Sequence, residues 1–170
     1  MLFRSLRNAT LTTIAPTGTL SLIAGCSGGI EPIYGIRTRR LAMGNLFLED
    51  LHPLITAALR RAGIRDERLL RDLTSRGSIQ SEARIPRKIR ALFPTAHDIS
   101  PDFHVRIQAA FQKYTDNAVA KTVNFPENAG PGEIKKAFLL AYREGCKGIT
   151  VFRSGSRAGQ ILSCSDPDYC

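Results

Sequence analysis

With 170 residues, the chain is long enough for one domain with an ordinary core. Hydrophobic residues at 43% and charged residues at 23% exclude a disordered, fibrous or low-complexity chain. The formal charge of +9 is uneven, because residues 37–90 hold thirteen Lys or Arg against six acids; no aromatic residues alternate with these cations, so they read as a solvated basic face rather than a single-strand nucleic-acid groove.

In chain order, TLTTIAP at the start is rich in β-branched residues and ends at Pro16, which predicts a short buried strand over 10–15. A loop follows, with Pro16, Gly18, Gly25, Gly28, Gly29, Pro32 and Gly35 allowing close backbone approach. From Asn45, the apolar spacing Phe47, Leu48, Leu51, Leu54, Ile55, Ala58 and Leu59 predicts a helix that stops at Gly63. A second helix starts near Asp66, carries Leu69, Leu70 and Leu73 and stops at Gly77, and a short one opens at Pro86. The segment 101–120 repeats at helical period with Phe103, Ile107, Ala110, Phe111, Tyr114 and Ala118 on the inward side. A strand over 121–125, a helix with Ile134, Ala137, Phe138 and Ala141 inward, and a strand over 149–153 complete the pattern. Helices alternating with short apolar strands predict α/β architecture, with the three strands parallel and adjacent through helical crossovers. Residues 1–160 read as one domain, and 161–170, which has no period, as a flexible tail carrying Cys164 and Cys170.

The richest segment for chemistry is PTGTLS, residues 16–21, whose small residues, amides and hydroxyls at Thr17, Thr19 and Ser21 suit a phosphate. It lacks the lysine of a Walker loop, and on spacing alone a plain strand-to-helix turn explains it as well. Cys26 and Cys146 read as small buried residues, and His52, His97 and His104 have no metal-ligand spacing. His104 shares a helix face with Gln108 and reads as a hydrogen-bonded structural histidine. No window approaches a membrane span and the N-terminus lacks the apolar core of a signal peptide, so the expected location is the cytoplasm.

The stretch RNATLTTIAPTGTLSLIAGCSGGIEP resembles the segment of adenosylcobalamin-dependent (class II) ribonucleotide reductases that follows the radical-bearing strand. FPTAHDISPDFHVRIQAAFQKYTDNAVAKTVNFP, GSIQ and GCKGITVFRSGSR are similar to later segments of that family, so the resemblance covers nearly the whole chain. It implies the C-terminal portion of a ten-stranded α/β barrel in which Pro16, Thr17, Gly18, Thr19, Leu20 and Ser21 hold the phosphates of a ribonucleoside di- or triphosphate. SGGIEP, residues 27–32, would order that site. The family's thiyl-radical finger belongs upstream of RNATLTT, so no cysteine here is expected to be catalytic and the upstream part of the catalytic chain is an expected partner.

The resemblance also implies adenosylcobalamin as cofactor. The last strand reads Thr150, Val151, Phe152, Arg153, where reductases with a separate radical-generating subunit place a tyrosine pair. Cys164 and Cys170 match the family's C-terminal dithiol in place but not in spacing, which makes thioredoxin or glutaredoxin a possible partner. Two other readings stay open at this point: a nucleotide-binding remnant without catalysis, and a basic nucleic-acid-binding module using residues 37–90.

Overall fold

The computed structural model describes residues 7–41, 47–156 and 162–164. The elements are α1 (Gly18–Ala24), β1 (Arg37–Leu41), β2 (Phe47–Leu51), α2 (Pro53–Arg61), α3 (Glu67–Arg76), α4 (Arg87–Arg90), α5 (Pro101–Gln112), β3 (Thr122–Phe125), α6 (Pro131–Arg143), β4 (Thr150–Arg153) and β5 (Leu162–Cys164). None of the described helices is long and apolar enough to cross a membrane.

β3 and β4 are parallel, in register from Thr122↔Thr150 to Phe125↔Arg153, and α6 is the crossover between them. This is the α/β unit expected from the sequence. α6 starts where Pro131 needs no amide partner and where the Glu133 carboxylate accepts from the Gly130 N–H at 2.9 Å. The expected third strand, 10–15, runs parallel beside this pair but forms only one bridge, Ile14↔Val119. It is held by Asn117 N–H to Thr12 O at 3.1 Å and Ala120 N–H to Ile14 O at 2.9 Å. The Asp116 carboxylate adds bonds from the Leu11 and Thr12 amides, which hold its pKa below the usual value.

A second sheet, of strand order β2-β1-β5, is wholly antiparallel and was not foreseen. Its β2 occupies the first turns of the helix expected from Asn45. Pro53 explains the difference: the residue before a proline is pushed out of helical geometry, so the chain stays extended through His52, at ψ 110°, and the helix begins only at Pro53. The apolar residues before Pro53 belong to a strand, and those after it, Ile55 and Leu59, to the buried face of α2. β5 lies inside the segment expected to be a flexible tail, with Cys164 opposite Thr38 of β1. Cys170 lies outside the described residues.

α3 follows its sequence signals closely. The Asp66 side chain accepts from the Arg68 amide at 2.9 Å, and Gly77 ends the helix at φ 71°. α5 begins at a Ser100 cap, but its buried face differs from the expected one. His104, Val105, Gln108, Ala109 and Gln112 are buried, whereas Phe103 and Tyr114 are 54% and 86% exposed and Phe111 is exposed as well. The polar residues win the interior because their amides serve the backbone. Gln108 Nε2 donates to Val119 O and Gly148 O at 3.0 and 2.7 Å, and Gln112 Nε2 to Thr115 O and Asn117 O at 3.0 and 2.8 Å. On α6, Ala137 and Ala141 are buried as expected but Phe138 is exposed.

Among the described residues the core lies in two clusters. One gathers Ile36, Ile55, Leu59, Leu69, Leu73, Ile79 and Ile85; the other gathers Val105, Val123, Phe125, Ala129, Ala137 and Ala141 around the parallel pair. Each fully buried Ile, Leu or Phe contributes about 1.5–3 kcal/mol. Polar links join the two regions: Ala96 N–H to Ile33 O at 2.8 Å, His104 Nε2 to Ala96 O at 2.9 Å, and Lys121 Nζ to the Glu31 carboxylate at 2.8 Å.

Candidate functional site

The segment 16–21 leaves the carboxyl end of the parallel stretch 10–15 and turns at once into α1, the place where open α/β sheets expose backbone to ligands. Thr17 makes the turn at φ 47°, ψ 32°, the one non-glycine residue with positive φ among those described. Its carbonyl accepts from the Ser21 amide at 2.9 Å, so the Gly18, Thr19 and Leu20 amides come before the first i→i−4 acceptor and have none inside the helix. Pro16, Gly18, Thr19 and Leu20 are exposed, while Thr17 and Ser21 are half-buried. A side chain placed on Gly18 would meet nothing within 4 Å, so the surface in front of its backbone is open. Gly18 itself has no positive φ; the left-handed residue is Thr17.

The hydroxyls do not act alike. Ser21 Oγ donates to Gly18 O at 2.6 Å, inside the turn. Thr17 makes no side-chain cap bond. The Leu20 side chain is 63% exposed rather than packed inward, so only its amide is common to both readings of this residue.

SGGIEP closes over the back of the turn. A Cβ on Gly28 would stand 2.7 Å from Pro16 O, and one on Gly29, at φ 53°, 2.9 Å from Ala15 O. Both glycines are needed because the two backbones touch there. The Glu31 N–H donates to Gly28 O at 3.0 Å, and the Glu31 carboxylate accepts from Lys121 Nζ at 2.8 Å and from the Thr122 amide. Sequence reasoning gave SGGIEP an ordering role but missed Glu31 and Lys121 as individuals. A lone lysine before an apolar strand has no periodic signature, and its partner lies 90 residues away.

His104 is buried with Nε2 on Ala96 O, as a structural histidine would be. Burial pushes its pKa down, the bond to Ala96 opposes this, and the charge of Lys121 lowers it further. Cys26, expected to be buried, is exposed. Cys146 is half-buried, and its thiol is pushed up by burial, with Glu144 adding to the shift.

Among the described residues, no three His, Cys, Asp or Glu side chains gather where a metal ion could be held. A hollow of about 370 Å³ lies away from the turn, lined by Ala129, Pro131, Ile134 and Arg153. Arg153 closes one side, with Nη1 on Glu127 O at 3.1 Å. Residues 16–21, the expected phosphate segment, form one continuous turn into α1.

Residues 4–152 match the family model described as "Ribonucleotide reductase, barrel domain". A vitamin B12-dependent ribonucleoside-diphosphate reductase of Mycobacterium tuberculosis is 42% identical over 161 residues, covering 95% of this chain and 23% of the relative. The enzyme of the same name from Thermoplasma acidophilum is 41% identical over 158 residues, covering 93% and 20%. This chain thus spans about a quarter or less of the length of these curated relatives. Among solved structures, the class Id ribonucleotide reductase alpha subunit of Actinobacillus ureae superposes with TM-score 0.71 at 23% identity, over 88% of this chain and 27% of that one, a likeness of fold. By sequence over most of its length, the chain belongs to the ribonucleotide reductase barrel-domain family.

Proposed function

We propose that the chain provides the substrate-phosphate loop of a vitamin B12-dependent ribonucleotide reductase, with a ribonucleoside diphosphate as substrate. The observation that carries this is the exposed turn at 16–21, where three successive amides lack helical acceptors in front of an open Gly18. Amides fixed in a turn bind an anion with little reorganisation. The choice of diphosphate, and of vitamin B12, rests on the names of relatives above 40% identity.

In this reading, the Gly18, Thr19 and Leu20 amides and the Thr17 and Thr19 hydroxyls orient the phosphates. Ser21 Oγ, already donating to Gly18 O, stiffens the turn and keeps only acceptor capacity for the ligand. The radical chemistry would belong to the cobalamin and to residues other than Cys26 and Cys146, neither of which lies in the finger segment of the family. No described group of residues is assigned to hold the cofactor, so no step is routed through it here.

The test is complementation. The barrel residues that precede the matched segment in the Mycobacterium tuberculosis relative, supplied in trans with adenosylcobalamin and a dithiol, should convert a ribonucleoside diphosphate to its deoxy product only when this chain is present. Equal turnover without the chain would refute the reading.

A further inference from the structure

Both ends of the segment that carries the turn are tied to one short stretch, residues 119–122. On the upstream side, Ile14 bridges Val119 and accepts from the Ala120 amide at 2.9 Å. On the downstream side, Glu31 takes the Lys121 ammonium at 2.8 Å on one carboxylate oxygen and the Thr122 amide on the other. Lys121 is 3% exposed, and a lysine is almost never so buried unless it is paired. From Glu31 the constraint passes through its N–H bond to Gly28 O, and Gly28 and Gly29 lie so close to Pro16 O and Ala15 O that a Cβ on either would not fit. The next residue, Thr17, has the left-handed backbone that a β-branched side chain disfavours, and it keeps that conformation without a cap bond of its own.

We propose that Glu31 and Lys121 are positioning residues for the turn at 16–21: their ion pair clamps the 28–31 turn against the Ala15–Thr17 backbone and so fixes the direction of the Gly18, Thr19 and Leu20 amides. This rests on the phosphate reading of those amides. The pair touches no ligand itself. Its removal frees Gly28 and Gly29 to lift, which lets Thr17 relax toward negative φ and turns the amides away from a common point. Buried ion pairs are weak sources of net stability but can fix one arrangement among several, and here the arrangement is that of a ligand-facing turn.

The experiment uses the full chain with inorganic pyrophosphate as probe, comparing wild type, Glu31→Gln, Lys121→Met and the double variant by calorimetry. Amide hydrogen exchange is read in parallel. Glu31→Gln keeps the shape and one acceptor for the Thr122 amide, so the fold should persist, as unchanged protection in α5 and α6 would report. Each single variant is expected to weaken pyrophosphate binding on the order of tenfold and to raise exchange across 15–21 alone, with the double variant no weaker than the worse single one. Wild-type binding with unaltered affinity in both variants would overturn the positioning role and leave the phosphate reading standing. Absence of pyrophosphate binding by wild type would overturn both. Weakened binding with protection lost throughout α5 and α6 would also overturn it, since the pair would then be a general structural support.

Discussion

Gly18 and Gly28 lie on opposite sides of the same turn and should respond to substitution in opposite ways. Gly18 faces open space, so Gly18→Val should leave the melting temperature nearly unchanged while placing a branched side chain where a phosphate would approach. Positive φ has no part in that outcome, because the left-handed residue is Thr17. Gly28→Ala puts a Cβ 2.7 Å from Pro16 O and should destabilise the fold by about 1–3 kcal/mol. Thermal melts of the two variants check this, and similar losses in both would contradict it.

The histidines make a second residue-scale prediction. Burial pushes the pKa of His52, His97 and His104 below the ordinary 6.5, with Asp98 opposing at His97 and the Ala96 carbonyl at His104. Each therefore binds fewer protons folded than unfolded just below that value. Their stability is fully present above about pH 6.5 and is lost as pH falls through the lowered folded values. Asp116, also lowered, acts in the same direction but only below its ordinary 3.8. The melting temperature should fall steadily from about pH 7 to pH 5, and a flat profile would mean that the imidazoles are not buried as described.

At the scale of elements, what could be read from sequence followed local chemistry. The Asp66 cap, the Gly77 stop, Pro131 at the start of α6 and the strands 122–125 and 150–153 all carry short-range signals, and all stand close to where those signals put them. Tertiary context decided the rest. The 10–15 segment makes one bridge because it meets its neighbour only near Val119. In α5 the periodicity revealed a helix but favoured the wrong face, because apolar size was taken as the mark of burial while Gln108 and Gln112 enter the core to satisfy four backbone carbonyls. Gln108→Leu, near in volume, should expose that cost by leaving Val119 O and Gly148 O without this donor. About 2 kcal/mol of stability should be lost in denaturant titration; a neutral result would show that those carbonyls have other partners.

Among the described residues, two apolar clusters are joined by a few polar links, and Leu11, Leu20, Ile23, Phe103, Phe111, Phe138 and Leu139 remain exposed. A surface of that kind favours association. The isolated chain should sediment as a concentration-dependent mixture and melt broadly, since the clusters share little apolar contact; a sharp melt from a clean monomer would contradict this. The proposed phosphate turn needs no barrel closure to be legible, because PTGTLS and the glycines behind it are close in sequence, whereas the Glu31–Lys121 link spans 90 residues and is visible only once the chain is folded.

The central claim is that the turn at 16–21 holds phosphate through backbone amides in front of Gly18. Calorimetric titration of the chain with a ribonucleoside diphosphate, with the matching nucleoside as control, tests it most directly when wild type and Gly18→Val are compared. Wild type should bind the diphosphate and not the nucleoside, and Gly18→Val should lose that binding at an unchanged melting temperature. Equal diphosphate binding by the two proteins would remove the turn from the site.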